Sequence, residues 1–455
     1  MAATIREKER SAILSSLGAG VVPSLGLQHI QVGRKAELEA LLGDLERVER
    51  GGAAVRFVVG RFGSGKSFFL NLVKSVAMER KLVVTSADIT TDRRLTGGSG
   101  VARSLFAELT RNMATRARPE GGALGSVVER WIADLAYEVE SDGGVESDVA
   151  DRIKETLAPL RELVSGYDFA TVLAAYYRGH AAHDAELQAA AIRWLRGEYS
   201  TKTEARQALG VRTIIDDDSI YDYLKLLAAF VRLAGYKGML VSLDELVVLS
   251  HRLNNRTSRD RNYEAILRIV NDCLQGSVEG LMFLFAATDD CLTDRRRGMF
   301  SYEALATRLA ENRFAQDGLV DLSGPVIRLA NLTPEDCFVL LANVRRVFMR
   351  GEDEESLLPQ PAMVRYLESC HERMGSAYFQ TPRETIKDFV GLLNVLEQNP
   401  QADWSSLIGG LTTAAVAEDL GEPVDDAQPD SPSEDDARGQ AQPPSDDDDL
   451  VSFKL

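Results

Sequence analysis

A glycine-rich turn, GRFGSGKS, has residue types and a spacing that suit the binding of phosphate groups. Its glycines let backbone N–H groups curl around phosphate oxygens, and the helix pattern that follows adds the positive end of a helix dipole. The Lys66 ammonium is placed to reach the β- and γ-phosphates of a nucleotide, and the Ser67 hydroxyl to ligate Mg²⁺. A chance turn would not need the apolar strand pattern before it and the helix after it, and both are present. The nucleotide-binding residues expected from this turn are Gly60, Arg61, Phe62, Gly63, Ser64, Gly65, Lys66, Ser67 and Phe68.

Two acids follow the apolar strand pattern MLVSL, at Asp244 and Glu245. Hydrolysis of a bound triphosphate needs acidic groups that hold Mg²⁺ and polarise water. We expect Asp244 to hold Mg²⁺ through its water shell and Glu245 to act as the base or orienter for the attacking water. An ordinary acidic pair at the end of a strand is the alternative.

Another strand pattern, LMFLFAA, ends at Thr288 and Asp289. A polar group there can lie beside Asp244 in the sheet and orient the lytic water, so we take Thr288 as a catalytic candidate. A threonine that only caps the next helix is the alternative.

The elements that position these groups are short apolar strands that alternate with helices. This alternation predicts an α/β fold with a parallel sheet covered by helices on both faces. We expect N-terminal helices and a base-side loop in 1–53, a core in 54–332 with a helical insertion at about 119–236, a helical segment in 333–420, and a disordered acidic tail in 421–455.

The net charge of −17 is concentrated near the end of the chain, where residues 421–455 carry eleven acidic and two basic side chains. The remainder is only mildly acidic, so overall charge does not exclude nucleic-acid binding. No apolar run approaches the roughly 20 residues that span a bilayer, and the N-terminus lacks a secretory signal pattern, which predicts a cytoplasmic protein without membrane association. The cysteines form no CxxC pair and are expected to be reduced core thiols.

These parts together resemble the AAA+ ATPases, in particular the branch of origin-recognition proteins and related signalling ATPases. The segment VGRKAELEALL is similar to that branch's adenine-flanking box, and RLANLTPEDCFVLL resembles the passage from the last strand into a helical lid. The resemblance implies a P-loop ATPase fold with an all-α lid, ATP and Mg²⁺ as ligands, and a ring-like assembly of copies of the chain. The residues that it implies beside the base are Ile30, Val32, Gly33 and Arg34.

Three arginines take roles only through this resemblance. The segment TPRETIKDF resembles the lid helix with the sensor arginine, which implies that Arg383 contacts the nucleotide. The segment ALATRLAENRF offers Arg313, or alternatively Arg308, as the arginine finger that enters a neighbouring subunit's site. A solvated helix charge remains the alternative for each of them.

A narrower resemblance rests on GVVPSLGLQHIQVGR, GRFGSGKSFFL and VSLDEL, which are similar to the ATP-binding proteins of bacterial BREX phage-exclusion loci. It implies a role in anti-phage defence and a DNA-processing partner such as a helicase. The AAA+ resemblance covers roughly residues 20–398, and the helical insertion departs from the compact AAA+ module.

Two kinds of surface could bind partners. Arg93, Arg94, Arg256 and Arg259 are candidates for non-specific contacts with DNA phosphates, against the alternative of solvated loop charges. The last ten residues, DDDDLVSFKL, form an acidic arm with an apolar tip that could dock onto a helicase or another defence protein, or could be a frayed end without a role.

The sequence leaves open what hydrolysis would serve. The first hypothesis is an oligomeric ATPase that acts on DNA or with a DNA-processing partner. The second is a nucleotide-dependent switch or scaffold with slow ATPase activity and no DNA contact. A small-molecule kinase is a third and weaker hypothesis, because no acceptor-site motif is recognisable.

Overall fold

A parallel sheet organises the protein. The computed structural model describes residues 5–315, 320–351, 354–374 and 382–409. The chain divides into a compact unit, Met1–Thr412, and a second unit, Thr413–Leu455, which lies outside the described residues, as does the predicted acidic tail. The sheet has the order β2-β3-β4-β1-β5. Its strands are β1 (Ala53–Val59), β2 (Val83–Asp88), β3 (Met239–Asp244), β4 (Leu281–Ala287) and β5 (Val326–Arg328).

Helices make up most of the remaining described chain. Short 3₁₀ segments span Leu27–His29 and Met299–Ser301, and a π-helical turn spans Val248–Arg252. The α-helices are α1 (Glu7–Gly18), α2 (Lys35–Glu49), α3 (Lys66–Glu79), α4 (Val101–Arg111), α5 (Leu124–Ser141), α6 (Glu146–Thr156), α7 (Ala158–Arg161), α8 (Gly166–Ala181), α9 (Ala185–Leu195), α10 (Lys202–Leu209), α11 (Ile220–Leu233), α12 (Arg256–Gln275), α13 (Asp289–Thr293), α14 (Glu303–Leu309), α15 (Pro334–Phe348), α16 (Glu354–Leu357), α17 (Gln360–Met374) and α18 (Pro382–Gln398).

The strands are parallel and their central members are buried on both faces. Every residue of β1 and β4 is buried, as near-continuous Val, Phe, Leu and Ala runs predict for strands covered on both sides. The rings of Phe57 and Phe285, which are register partners, stack with their centroids 4.7 Å apart. The α/β fold with a parallel sheet is therefore confirmed.

The register aligns the carboxyl ends of the strands. Val59 pairs with Ala287 at the end of the β1–β4 ladder. Asp88 pairs with Asp244 at the end of the β2–β3 ladder. Because β4 lies between β1 and β3, the glycine turn, Thr288 and the two acids share one edge of the sheet.

The helical insertion packs against one face of the sheet. Helices α5 to α11 contribute to the same hydrophobic cluster as one face of the sheet. Trp131 packs edge-to-face on Phe230 at 5.3 Å, and the Tyr221 ring lies 6.1 Å from that of Phe283 on β4. Large aromatic side chains on the helices and on the strands thus join the insertion to the sheet.

A second cluster joins the beginning of the chain to its C-terminal helices. Ile13 and Leu17 of α1 and Ile30 pack with buried residues of α15, α17 and α18. The Arg10 guanidinium donates to the Phe348 carbonyl oxygen at 2.9 and 3.1 Å. Helix α2, in contrast, packs on the opposite sheet face in a third cluster that also contains α3.

All four cysteines are buried thiols, as expected for core positions. Burial raises the pKa of both Cys273 and Cys291 to about 12, so both are neutral thiols at physiological pH. Within the described residues, no helix combines the length and the apolar character that a membrane crossing requires.

Candidate nucleotide-binding site

The glycine turn connects β1 to α3 in the conformation that its sequence requires. Gly63 and Gly65 have φ values of 75° and 83°, in the left-handed region that glycine adopts without strain. A Cβ on Gly60 would lie 2.7 Å from the Ser64 Oγ atom, so the start of the turn has no room for a side chain. Neighbouring strands hold this start in place, since the Gly60 N–H donates to the Ala287 carbonyl oxygen at 3.2 Å.

The Lys66 ammonium is held at the mouth of the turn. Its Nζ donates to the carbonyl oxygens of Gly60 and Arg61, both at 2.8 Å. It also lies 5.4 Å from the centroid of the exposed Phe62 ring, within the range of a cation–π contact. Burial lowers the pKa of Lys66, and the charges of Asp244 and Glu245 oppose that shift.

The two predicted metal ligands are in direct contact, although they lie 177 residues apart in the sequence. The Ser67 hydroxyl donates to Asp244 Oδ2 at 2.9 Å. The other carboxylate oxygen, Oδ1, accepts the backbone N–H of Glu245 at 2.7 Å. The sheet therefore brings the first turn of α3 and the end of β3 together at one point.

Glu245 has an unusual backbone for a residue with a side chain. Its φ is 60°, in the left-handed region that residues other than glycine seldom occupy. Burial raises the pKa of Glu245, and the charges of Asp244 and Asp88 raise it further. Its side chain borders the same cavity as Lys66, so a carboxylate with increased proton affinity faces the expected phosphate position.

Thr288 lies at the cavity and also caps a helix. Its Oγ1 accepts the backbone N–H of Cys291 at 3.2 Å, at the start of α13. The residue is 6% exposed and lines the cavity beside Ala287. The capping role, which was the alternative for this residue, is therefore present, and Thr288 also lines the same cavity as Asp244.

A cavity of about 290 Å³ extends from the glycine turn toward α1 and the C-terminal helices. Residues Phe62 to Phe68 line it, whereas Gly60 and Arg61 contribute only the carbonyl oxygens that hold Lys66. All four residues that the AAA+ resemblance places beside the base also line it, namely Ile30, Val32, Gly33 and Arg34.

Further lining residues were missed by the sequence analysis. They are apolar residues from two distant parts of the chain that meet at the end of the cavity away from the acids. The segment LGAGVVP at the end of α1 was a usable signal, because an exposed apolar pair beside glycines is unusual in a surface loop. These residues are Leu17, Val21, Val22, Pro23, Leu332, Leu340, Pro382 and Ile386.

The Arg34 side chain has a structural task at the glycine turn. Its guanidinium donates to the Ser64 carbonyl oxygen and, at 3.5 and 3.4 Å, to those of Gly65 and Ala330. Its own φ is 54°, and its Nε atom is buried without a hydrogen-bond partner. Arg34 therefore joins the turn to the chain that follows β5, besides lining the cavity.

The other arginines predicted to act on the nucleotide differ in position. Arg383, at the start of α18, lines the cavity. Arg308 and Arg313 do not line it. Arg308 Nε donates to Asn271 Oδ1 at 3.0 Å, and Arg313 is exposed in the turn after α14.

The arginines predicted to contact DNA are not equally accessible. Arg259 is 8% exposed and donates to the carbonyl oxygens of Leu253 and Asn254, so its side chain is a structural element and not a surface charge. Arg93 forms an ion pair with Glu108 at 3.2 Å.

The remaining two predicted arginines also differ. Arg256 is exposed and lies 3.5 Å from Asp260. Arg94 is half-buried, with its Nε inaccessible to solvent.

The oxygen donors at the acidic edge suit Mg²⁺. A serine hydroxyl and a carboxylate are hard ligands, and both lie at the mouth of a turn that can hold phosphates. Mg²⁺ held by Ser67 and Asp244 would neutralise the charge of bound phosphates.

A parallel sheet with this turn, lysine and serine–carboxylate contact at one edge is the arrangement of α/β proteins that bind nucleoside triphosphates. Comparison with protein families specifies the nucleotide. The chain belongs to the family described as BREX system ATP-binding protein BrxC/D, whose model matches residues 5–411. The match confirms the resemblance to BREX ATP-binding proteins and identifies ATP as the ligand. The comparison with curated proteins gives no match.

Proposed function

We propose that this protein hydrolyses ATP with Mg²⁺, as an AAA+-type ATPase of a BREX anti-phage system. The observation that carries the proposal is the 2.9 Å contact between Ser67 Oγ and Asp244 Oδ2, with Glu245 directly after Asp244. Binding alone would need only the turn and the lysine, whereas acids at the phosphate end are what hydrolysis adds.

Each residue has a separate task in this mechanism. Backbone N–H groups of the turn and the Lys66 ammonium hold the β- and γ-phosphates, and Lys66 exchanges its contacts with Gly60 and Arg61 for phosphate oxygens. Ser67 and Asp244 hold Mg²⁺. Glu245 takes the proton of the attacking water, and the raised pKa of its carboxyl favours that transfer.

Two further groups complete the site in this proposal. Thr288 orients the attacking water from the end of β4. Arg383 approaches the phosphates from the start of α18. We assign residues 333–420 to a helical lid on a core of 54–332, with the N-terminal segment 1–53 between them. The shared cluster of α1, α15 and α18 supports a lid that includes the N-terminal helix.

Assembly into an oligomer belongs to the same proposal. Arg313 is exposed and lies outside the cavity of its own chain, as a residue that acts on a neighbouring copy would. We assign Arg313 the role of a trans-acting finger. Arg308 is the weaker candidate because its Nε atom is already bonded to Asn271.

The proposal also includes action on DNA or together with a helicase partner. Arg93, Arg94 and Arg256 remain the candidate phosphate contacts, and the acidic C-terminal segment remains the candidate docking peptide. Arg259 is no longer a candidate because it is buried. The switch or scaffold function, with slow turnover and no DNA contact, is the alternative outcome.

One set of measurements tests these points together. ATP turnover and native mass are measured for the wild type and Glu245→Gln, with and without DNA, at low and moderate salt. We expect Glu245→Gln to lower turnover by about 10²- to 10³-fold while it still binds ATP. Glu303→Gln, at an exposed glutamate in the first turn of α14, is the control for loss of a carboxylate elsewhere.

The outcomes separate the hypotheses. Turnover stimulated by DNA, with ATP-dependent assembly, supports the ATPase acting on DNA. Turnover and assembly that ignore DNA support the switch. Intact ATP binding without turnover in the wild type contradicts the hydrolysis proposal.

A further inference from the structure

A third carboxylate lies beside the two acids of the site. Asp88 ends β2 and is the register partner of Asp244 on β3. Partners on adjacent parallel strands lie about 5 Å apart and project their side chains to the same face. The Asp88 carboxylate makes no hydrogen bond and no ion pair within 4 Å with any residue that the structure describes. A carboxylate without a protein partner thus stands next to the expected metal ligand.

A lysine faces this pair of carboxylates from α3. Lys74 lies seven residues after Ser67, which places both on one face of the helix. Its half-buried Nζ donates to Asn71 Oδ1 at 3.2 Å and forms no ion pair within 4 Å among the described residues. Burial lowers the pKa of Lys74, and the charges of Asp244 and Asp88 oppose that shift. The Lys74 ammonium therefore interacts electrostatically with both carboxylates but forms no direct contact with either.

A buried hydroxyl on β3, the strand that ends in Asp244, has no hydrogen-bond partner among the described residues. Ser242 is 1% exposed, and its Oγ has no hydrogen-bond partner. Side chains two residues apart on a strand lie on the same face, so Ser242 faces the same side as Asp244. A buried polar atom normally has a partner. Water or a hydrated ion between these groups would supply one.

We propose that Asp88 accepts hydrogen bonds from the water shell of Mg²⁺ at Asp244, while the positive charge of Lys74 repels the same ion. Asp88 then strengthens Mg²⁺ binding and Lys74 weakens it. Both are positioning residues, because neither touches the nucleotide. The inference rests on the proposed function, since it assumes a Mg²⁺ site at Ser67 and Asp244.

The test is a Mg²⁺ titration of the binding of a fluorescent, non-hydrolysable ATP analogue to the full chain. We expect Asp88→Asn to raise the half-saturating Mg²⁺ concentration about three- to tenfold, as for one charge several ångströms away in a partly solvated site. Lys74→Met should lower it by about the same factor. Asp92→Asn removes an exposed charge from the segment that follows β2 and should leave the half-saturating Mg²⁺ concentration unchanged. Analogue binding without Mg²⁺ should change little in Asp88→Asn.

Opposite shifts from the two variants are the signature that a merely structural role would not produce. An unchanged Mg²⁺ requirement in both Asp88→Asn and Asp88→Ser overturns the inference, as do shifts of the two charge variants in the same direction. Wild-type binding that is independent of Mg²⁺ is a different failure, because it removes the metal site of the proposed function itself. Thermal unfolding of each variant verifies that it is folded.

Discussion

The two ends of the cavity are built by different means. The phosphate end consists of a turn and strand ends that backbone hydrogen bonds of one sheet hold in register. Its polar groups are in direct contact, with Lys66 Nζ at 2.8 Å from two carbonyl oxygens and Ser67 Oγ at 2.9 Å from Asp244 Oδ2. The base end consists of apolar side chains from α1, α15 and α18, which belong to a separate hydrophobic cluster.

This difference separates affinity for phosphate from affinity for the base. A sheet defines positions through many hydrogen bonds, whereas the base end depends on how α1 packs against the C-terminal helices. Substitutions at the phosphate end should therefore weaken mainly the binding of the phosphates, and substitutions at the base end mainly the binding of the base. Adenosine and ATP, measured side by side, report on the two ends separately.

The largest expected effect is on the phosphate end. Lys66→Ala should weaken ATP binding about 100-fold, because charge-assisted contacts with phosphate oxygens are lost. Adenosine binding should change less than twofold. Calorimetric titration of both ligands checks this, with Lys35→Ala, at an exposed lysine of α2, as the control. Equal loss for both ligands would show that the ends are not independent.

Arg34 is the residue at which the two ends should be coupled. Arg34→Ala removes the donors to the Ser64, Gly65 and Ala330 carbonyl oxygens, and should weaken ATP binding about tenfold. Arg34→Lys should recover little, since an ammonium cannot reproduce the planar fork of donors. The same titrations measure both variants. Unchanged ATP affinity in Arg34→Ala would contradict its task at the turn.

A smaller effect is expected at the base end. Val21 is 53% exposed and lines the cavity, so Val21→Ala should weaken adenosine and ATP binding equally, by about threefold, through lost apolar contact. Val145→Ala, at an exposed valine before α6, is the matched control. Weaker ATP binding with unchanged adenosine binding would contradict the assignment of Val21 to the base end of the cavity.

The smallest effect concerns the pH dependence of α1 packing. Burial acts to raise the pKa of Glu9, but hydrogen bonds from the Arg6 N–H and His29 lower it overall. A lowered pKa in the folded state means that its stabilisation is present above about pH 4.5 and is lost as the pH falls. Glu9→Gln should therefore be less stable than the wild type at pH 7, by under about 1 kcal/mol, and the difference should shrink toward pH 3. Urea unfolding at both values measures this; a constant difference would contradict it.

The glycine turn and its place at the sheet edge could be predicted from the sequence because the residues of the turn are consecutive. Gly60 to Ser67 form one turn, and strand patterns that end in Asp244 and Thr288 must share an edge in a parallel sheet. Helix α3 begins at Lys66, directly in the turn, where the helix pattern of the sequence placed it.

The base end was predicted only in part, since contacts between distant segments leave little local signal. Leu17 and Ile386 meet through tertiary packing, and a helical repeat does not specify which helix covers which. The prediction that Arg259 contacts DNA was wrong for a related reason. A basic stretch does not show which of its arginines lie on the buried face of α12. The proximity of Asp88 to Asp244 could not be predicted from the sequence, because it depends on β2 and β3 being neighbours in the sheet.

The position of α1 has a consequence for how the protein is made. Helix α1 is synthesised first, yet Ile13 and Leu17 are covered by helices that end at Gln398. At translation rates of roughly 5–20 residues per second, α1 waits on the order of 20–80 s for its partners. The strands of the sheet are all synthesised before that time. On the proposed site assignment, a nascent chain would complete the glycine turn and the sheet before α1 packs against the C-terminal helices.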